Sequence, residues 1–161
     1  MSFEKARDHL ARFGLADRIR EFETSSATVE LAAQAVGCEA ARIAKTLSFA
    51  VDGGCVLIVC AGDAKVNSSA FKVRFLTKAK MLTPDEVLAF TGHAVGGVCP
   101  FGIEDPAVAT YLDESLRRFE TVFPAAGSDH SAIELTLPEL EEFSGAKGWV
   151  DVCKGWREEE A

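Results

Sequence analysis

The chain lacks any apolar stretch approaching the roughly 20 residues that span a bilayer. Its opening residues, Met1 to Asp8, carry charges throughout, so no secretory leader is expected there. Cysteine is sparse: five residues, an odd number, with no paired short spacing. That argues against a disulfide framework and against a zinc site, and it points to a reducing cytoplasm. Paired carboxylates against an apolar background, internal repeats, linkers and low-complexity tracts are likewise missing. No metal and no cofactor is expected, and no membrane association. What remains is a chain of 161 residues with 48% hydrophobic and 26% charged residues, suited to one domain over 1–161.

Acidic residues are also missing from one place. Between Asp63 and Asp85 there is none, while Lys65, Lys72, Arg74, Lys78 and Lys80 fall there. This stretch carries +5 in a chain of net charge −8, which leaves −13 on the rest. The net charge opposes coating a long duplex, and no DNA partner is expected. The local cluster is either a solvated helix face or a patch gripping one end of a nucleic acid. Glu158, Glu159 and Glu160 form an acidic tail expected to fray.

Helical spacing at Phe3, Ala6, Leu10 and Phe13 predicts a first helix stopped near Gly14. A short strand is expected near Ile19 to Glu23, then a polar turn at Thr24-Ser25-Ser26. Thr28 is placed to cap a helix ending at Gly37. Asp52-Gly53-Gly54 reads as a hairpin turn into Cys55 to Ala61, whose lack of alternation predicts burial on both faces. Asn67, Thr83 (with Pro84 and Glu86) and Thr136 (with Glu139) mark three further helix starts. Strands are expected over Val108–Leu112, Glu120–Ala125, Ala132–Leu135 and Trp149–Val152. The pattern predicts a compact α+β domain: a mixed, mostly antiparallel sheet with surrounding helices.

Within this outline Lys45 stands out. Ile43, Leu47, Phe49 and Val51 share one face of a predicted strand, and Lys45 sits among them. Ala44, Thr46, Ser48 and Ala50 take the other face. A cation on an apolar face either snorkels to water or opens into a wet pocket as the partner of an anion.

The second distinctive element is Gly96-Gly97-Val98-Cys99-Pro100-Phe101-Gly102. It is either a bend or a loop whose main-chain amides hold an oxyanion or a carbonyl. No Gly-Lys-Ser or Gly-Lys-Thr follows, so it is not a phosphate loop of the Walker kind. Cys99 invites a nucleophile reading, which needs a base. Of three histidines, His9 falls on a surface helix, His93 in a turn, and His130 beside Asp129 in a polar loop, where the two form a candidate acid–base pair. Trp149 and Trp156 read as anchors of the C-terminal segment.

In order along the chain, Thr24 to Glu30, Ile43-Ala44-Lys45-Thr46-Leu47, Ala61-Gly62-Asp63, Gly96 to Gly102 and Tyr111 to Leu116 resemble the motifs of the YbaK/ProX-like aminoacyl-tRNA editing domains. The resemblance spans roughly Phe22 to Val152 and implies a domain core at about 22–152. It implies the fold of the YbaK and prolyl-tRNA synthetase insertion domains, and hydrolysis of the ester on a mischarged tRNA, often tRNA(Pro) carrying a small non-cognate amino acid. It further implies that Lys45 holds the 3′-terminal region and that Gly96, Gly97, Val98, Cys99 and Pro100 position the aminoacyl group. Thr46, Asp129 and His130 are then further substrate contacts. A ribose hydroxyl of the terminal adenosine helps activate water in such domains, so no protein nucleophile or metal is required. Thr46 stands where the alanine-specific subgroup carries asparagine, and on an ideal strand it points away from Lys45. The partners implied are the tRNA acceptor end, met by the basic stretch, and prolyl-tRNA synthetase, with the chain a monomer or weak homodimer. Two alternatives stand beside this: a non-catalytic tRNA- or synthetase-binding module of the same fold, and a hydrolase using Cys99.

Overall fold

The computed structural model describes residues 2–157, so the acidic tail lies outside the described residues. Helix α1 (Ser2–Ala11) buries Ala6 and Leu10 completely. Strand β1 (Ile19–Glu21) leads to α2 (Val29–Val36), whose Leu31 N–H is capped by the Thr28 hydroxyl at 3.2 Å. Strands β2 (Ile43–Val51) and β3 (Gly54–Ala61) form the predicted hairpin around Asp52-Gly53. A two-residue strand β4 (Lys65–Val66) precedes α3 (Ser68–Phe75), capped by Asn67. Helix α4 (Pro84–Thr91) opens on the Thr83–Glu86 capping box. Then come β5 (Val108–Asp113), β6 (Thr121–Pro124), β7 (Ser131–Ile133) and β8 (Leu135–Thr136). Helix α5 (Leu137–Ser144) starts on the Thr136–Glu139 capping box, and β9 (Trp149–Val150) and β10 (Cys153–Lys154) complete the fold.

Six strands form the central sheet in the order β8-β6-β2-β3-β5-β9, with β1-β7 and β4-β10 as antiparallel ribbons beside it. Of the five pairings in the central sheet two are antiparallel and three parallel, so the sheet is mixed as expected, with the antiparallel ribbons bringing the total to four of seven. Every residue of β3 from Cys55 to Ala61 is buried. One face of the hairpin packs on α3, where the Phe49 and Phe71 rings lie 4.9 Å apart. On the other, Cys55 and Leu57 meet Leu82 and Val87. Helix α2 covers Ile43 and Phe123.

Two predicted strands are each divided in the structure. Over Ala132–Leu135, β7 pairs with β1 while β8 pairs with β6, so the chain changes partners at Glu134. Over Trp149–Val152, the sheet ends at Val150 because the Val152 N–H is taken by the Asp113 carboxylate (2.9 Å) and its carbonyl by Asn67 N–H (2.7 Å). The next pairing, β10 with β4, belongs to a ribbon.

Asp113 therefore has a structural role. It is fully buried, and its two oxygens accept from Ser115 N–H and Val152 N–H, both at 2.9 Å. Asp113→Ala leaves two buried amides without acceptors, a loss of about 3 kcal/mol for two charge-assisted bonds. The expected outcome is a melting temperature lower by about 6–12 °C, at about 2–4 °C per kcal/mol for a chain of this size. Differential scanning calorimetry reads it.

Candidate active site

The edge of β2 away from β3 is paired only at its ends. Ile43 and Ala44 pair in parallel with Phe123 and Pro124 of β6. Farther on, Ala50 N–H donates to Lys80 O (2.8 Å) and Ser48 O accepts from Leu82 N–H (3.2 Å). Between these two partners no ladder among the described residues covers Lys45 to Leu47 on that side. Because Ser48 and Ala50 bond outward, strand alternation turns the Thr46 N–H and C=O into the same gap.

A cavity of about 470 Å³ occupies the gap. Its walls come from the start of α2, the segment from Met81 to Val87, the loop around Gly96, and β6 and β7. Both Lys45 and Thr46 line it, because the cavity wraps around the open edge and meets both faces of the strand. The opposed directions of the two side chains thus do not separate them.

Lys45 is half-buried, and its Nζ donates to Gly62 O at 3.3 Å. Among the described residues no carboxylate lies within 4.0 Å of it. Asp63 is the nearby candidate, but its two oxygens accept from Arg118 at 2.6 and 2.9 Å. That bonding holds the Asp63 carboxyl below its usual range, with Lys45 a minor contributor. The Lys45 charge thus stays available to a ligand. Gly62 is fixed here by space: a Cβ on it would stand 2.1 Å from Ala40 O and 2.7 Å from Val29 Cγ1. The Ala61-Gly62-Asp63 run therefore lets the turn at Ala40 and Val29 of α2 approach the end of β3, and supplies the carbonyl on which Lys45 rests.

The glycine loop is divided between the cavity wall and the support behind it. Gly96 and Val98 line the cavity, whereas Gly97, Cys99 and Pro100 are buried and do not. Gly97 lies flat on the Gly127–Ser128 backbone, where a Cβ would come within 2.7 Å, and its N–H donates to Ala94 O at 3.0 Å. Asp129 is exposed; its carbonyl accepts from Ser26 N–H, and a Cβ on Gly96 would lie 3.5 Å from its Cβ. Its carboxylate pairs with the exposed His130 ring at 2.9 Å, outside the cavity lining.

The histidine that approaches Cys99 is His93. His93 Nε2 lies 2.7 Å from Phe101 O and 3.6 Å from the Cys99 sulfur, and both residues are fully buried. Burial pushes the Cys99 thiol up to about 12 and the His93 pKa down. A thiol so placed is neutral near pH 7 and lies outside the cavity lining, so the pair reads as a clamp on the loop. Cys99→Ala is expected to retain at least about half of the activity, as read by the deacylation assay below; a nucleophile would lose several orders of magnitude.

Lys65, Lys72, Arg74, Lys78 and Lys80 are all exposed. They run from β4 through α3 to the segment ending at Met81, which borders the cavity. Arg74 also lies over the Phe75 and Tyr111 rings, at 5.0 and 5.1 Å. Reasoning from sequence missed Ser26, assigned only to a polar turn, which lines the cavity; its place in the Thr24 to Glu30 motif was the available signal. No helix among the described residues is long and apolar enough to cross a membrane, and no three metal-ligating side chains cluster.

A glycine-rich loop, an unpaired strand edge and a lysine without a carboxylate partner among the described residues thus surround one cavity, the candidate site. Residues 23–143 match the model of the aminoacyl-tRNA editing domain, and the chain belongs to that family. It is 55% identical to the uncharacterized protein YwhH of Bacillus subtilis over 158 residues, covering 97% of this chain and 99% of that one. It is 28% identical over 93 residues to the proline–tRNA ligase of Thermotoga maritima, covering 57% of this chain but 16% of the ligase. A crystal structure described as a candidate trans-editing enzyme for prolyl-tRNA synthetase superposes with a TM-score of 0.85 at 31% identity, covering 96% of this chain and 98% of that one.

Proposed function

We propose that this chain is a trans-editing aminoacyl-tRNA deacylase that hydrolyses the ester of a mischarged tRNA, with tRNA(Pro) carrying a small non-cognate amino acid as its substrate. The observation that carries this reading is the 470 Å³ cavity at the open edge of β2, with Lys45 on one wall and Gly96 and Val98 on the other. The family membership and the similarity to part of the proline–tRNA ligases support it.

In this reading Lys45 binds the 3′-terminal region, through its phosphate or through the carbonyl of the aminoacyl group. Pro100 has no N–H and Gly97 N–H is spent on Ala94, so Gly96 and Val98 supply the loop amides that reach a ligand. Amides fixed before the substrate arrives stabilise the oxyanion formed when water attacks the ester carbonyl. The terminal adenosine, held by Lys45 and by the basic residues beside Met81, brings its own ribose hydroxyl to the attacking water. Positioning is then the protein's main contribution.

The test is a panel of mischarged tRNA(Pro) and other tRNAs incubated with the purified chain. Release of a small non-cognate amino acid from tRNA(Pro) is the expected result. An untouched panel overturns the deacylase reading; salt-dependent tRNA binding without cleavage leaves the non-catalytic module, which the net charge of −8 motivates by lowering unaided affinity for tRNA.

A further inference from the structure

Arg118 makes more contacts than a surface ion pair needs. It closes the short 3₁₀ turn Glu114–Arg118 that follows β5. Its Nη1 and Nη2 donate to the two Asp63 oxygens at 2.9 and 2.6 Å, and its Nε donates to Ser115 O at 3.0 Å. Nη1 also donates to the Trp156 carbonyl at 3.4 Å, and the Phe119 and Trp156 rings lie 4.9 and 5.1 Å from the guanidinium carbon. The same turn grips the end of β3 a second time, where buried Ser115 Oγ accepts from Ala61 N–H at 3.1 Å. Asp63 and Arg118 are both partly exposed, and an ion pair so placed adds little to stability. So firm a grip on one carboxylate calls for another purpose.

Lys45 supplies it. Its Nζ lies 3.3 Å from Gly62 O. The peptide is trans, which puts that oxygen about 2.8 Å from the next Cα, that of Asp63. Nζ is thus within about 6 Å of the Asp63 Cα, and an aspartate carboxylate oxygen extends up to about 3.6 Å from its own Cα. Rotation of the two side chains is enough to join them in an ion pair. Lys45 already helps to lower the Asp63 pKa, after Arg118 as the main cause.

We propose that Arg118 is a positioning residue that occupies the Asp63 carboxylate and so keeps the Lys45 charge free for the substrate. The inference rests on the deacylase reading and deepens it. Without Arg118, Asp63 becomes a rival for Lys45, because a carboxylate tethered beside the ammonium competes at a high effective concentration with a ligand from solution. The C-terminal segment shares in the device, since Trp156 backs Arg118 with both its ring and its carbonyl.

The experiment measures single-turnover deacylation by the wild type, Arg118→Gln, Arg118→Lys and the double variant Arg118→Gln/Asp63→Asn, with melting curves alongside. Arg118→Gln is expected to lose about tenfold in kcat/KM, the scale of one opposite charge brought into contact with Lys45. Arg118→Lys keeps a cation on Asp63 but not the fork, and is expected to lose about threefold. Adding Asp63→Asn to Arg118→Gln removes the rival and is expected to restore the rate to within about threefold of the wild type. If Arg118→Gln melts below the assay temperature, Arg118→Lys with and without Asp63→Asn carries the same comparison. An NMR titration of the Asp63 carboxyl carbon separates pairing from folding. In the Arg118→Gln background, Lys45→Met should move that titration to higher pH; with Arg118 in place it should move it much less. Full activity in Arg118→Gln, no recovery on adding Asp63→Asn, or an Asp63 titration indifferent to Lys45→Met in the Arg118→Gln background overturns the inference and leaves the deacylase reading standing. If no ester is cleaved, the deacylase reading fails, and the Asp63 titration alone decides whether Arg118 keeps Asp63 from Lys45.

Discussion

Lys45→Ala is expected to lower deacylation kcat/KM on the order of 100-fold, the scale of removing one preorganised charged donor from a site that excludes water. The residue contributes little to the fold. It is half-buried, with one bond of 3.3 Å to the Gly62 carbonyl and no ion pair among the described residues. The variant should therefore melt within a few degrees of the wild type, so that lost activity reports lost substrate binding. Lys45→Arg should restore only part of it, because a planar fork cannot replace a compact ammonium resting on a single carbonyl. Single-turnover rates on the best ester of the panel, alongside melting curves, read both effects. Full activity in Lys45→Ala would remove Lys45 from the site.

Gly62→Ala is expected to act on stability first. Its new Cβ would stand 2.1 Å from a backbone oxygen of Ala40 and 2.7 Å from Val29, and neither is the end of a flexible side chain. Relief requires moving both the turn at Ala40 and the start of α2 away from the end of β3, at a cost of about 3 kcal/mol, the upper part of the usual range for overpacking. The melting temperature should fall by about 6–12 °C. Activity should fall beyond what unfolding explains, because the displaced carbonyl is the rest for Lys45 and Val29 lines the cavity. Gly148→Ala is the control: a Cβ there meets nothing within 4 Å, and a change of less than about 0.5 kcal/mol is expected.

The parts of this fold that could be read from the sequence are those with local causes. Thr28, Asn67, Thr83 and Thr136 announce their helices because a cap and its amide lie three residues apart. Asp52-Gly53 announces its hairpin for the same reason, and the unbroken apolar run of β3 announces its double burial. The position of Lys45 on an apolar face was legible from alternation alone. Pairing between distant segments was not. Nothing in Val108 to Asp113 says that it lies parallel to β3, or that β6 leaves β2 after only two residues. That early departure creates the cavity, so the site was visible in its residues but not in its shape. Cys99 met His93 rather than His130 because the contact depends on how the loop folds back on itself. Ser26 looked like turn filler because its burial comes from segments far along the chain.

The open edge of β2 also bears on whether another chain can add a strand to the sheet. An unpaired strand edge invites another chain to dock by main-chain hydrogen bonds, and sheet proteins usually shield such edges. Here the opening spans only Lys45 to Leu47, closed at one end by β6 and at the other by the segment around Met81. With Thr46 alone presenting outward bonds in the gap, a foreign strand finds too short a template to add on. The edge is long enough for one amino acid and too short for a second strand.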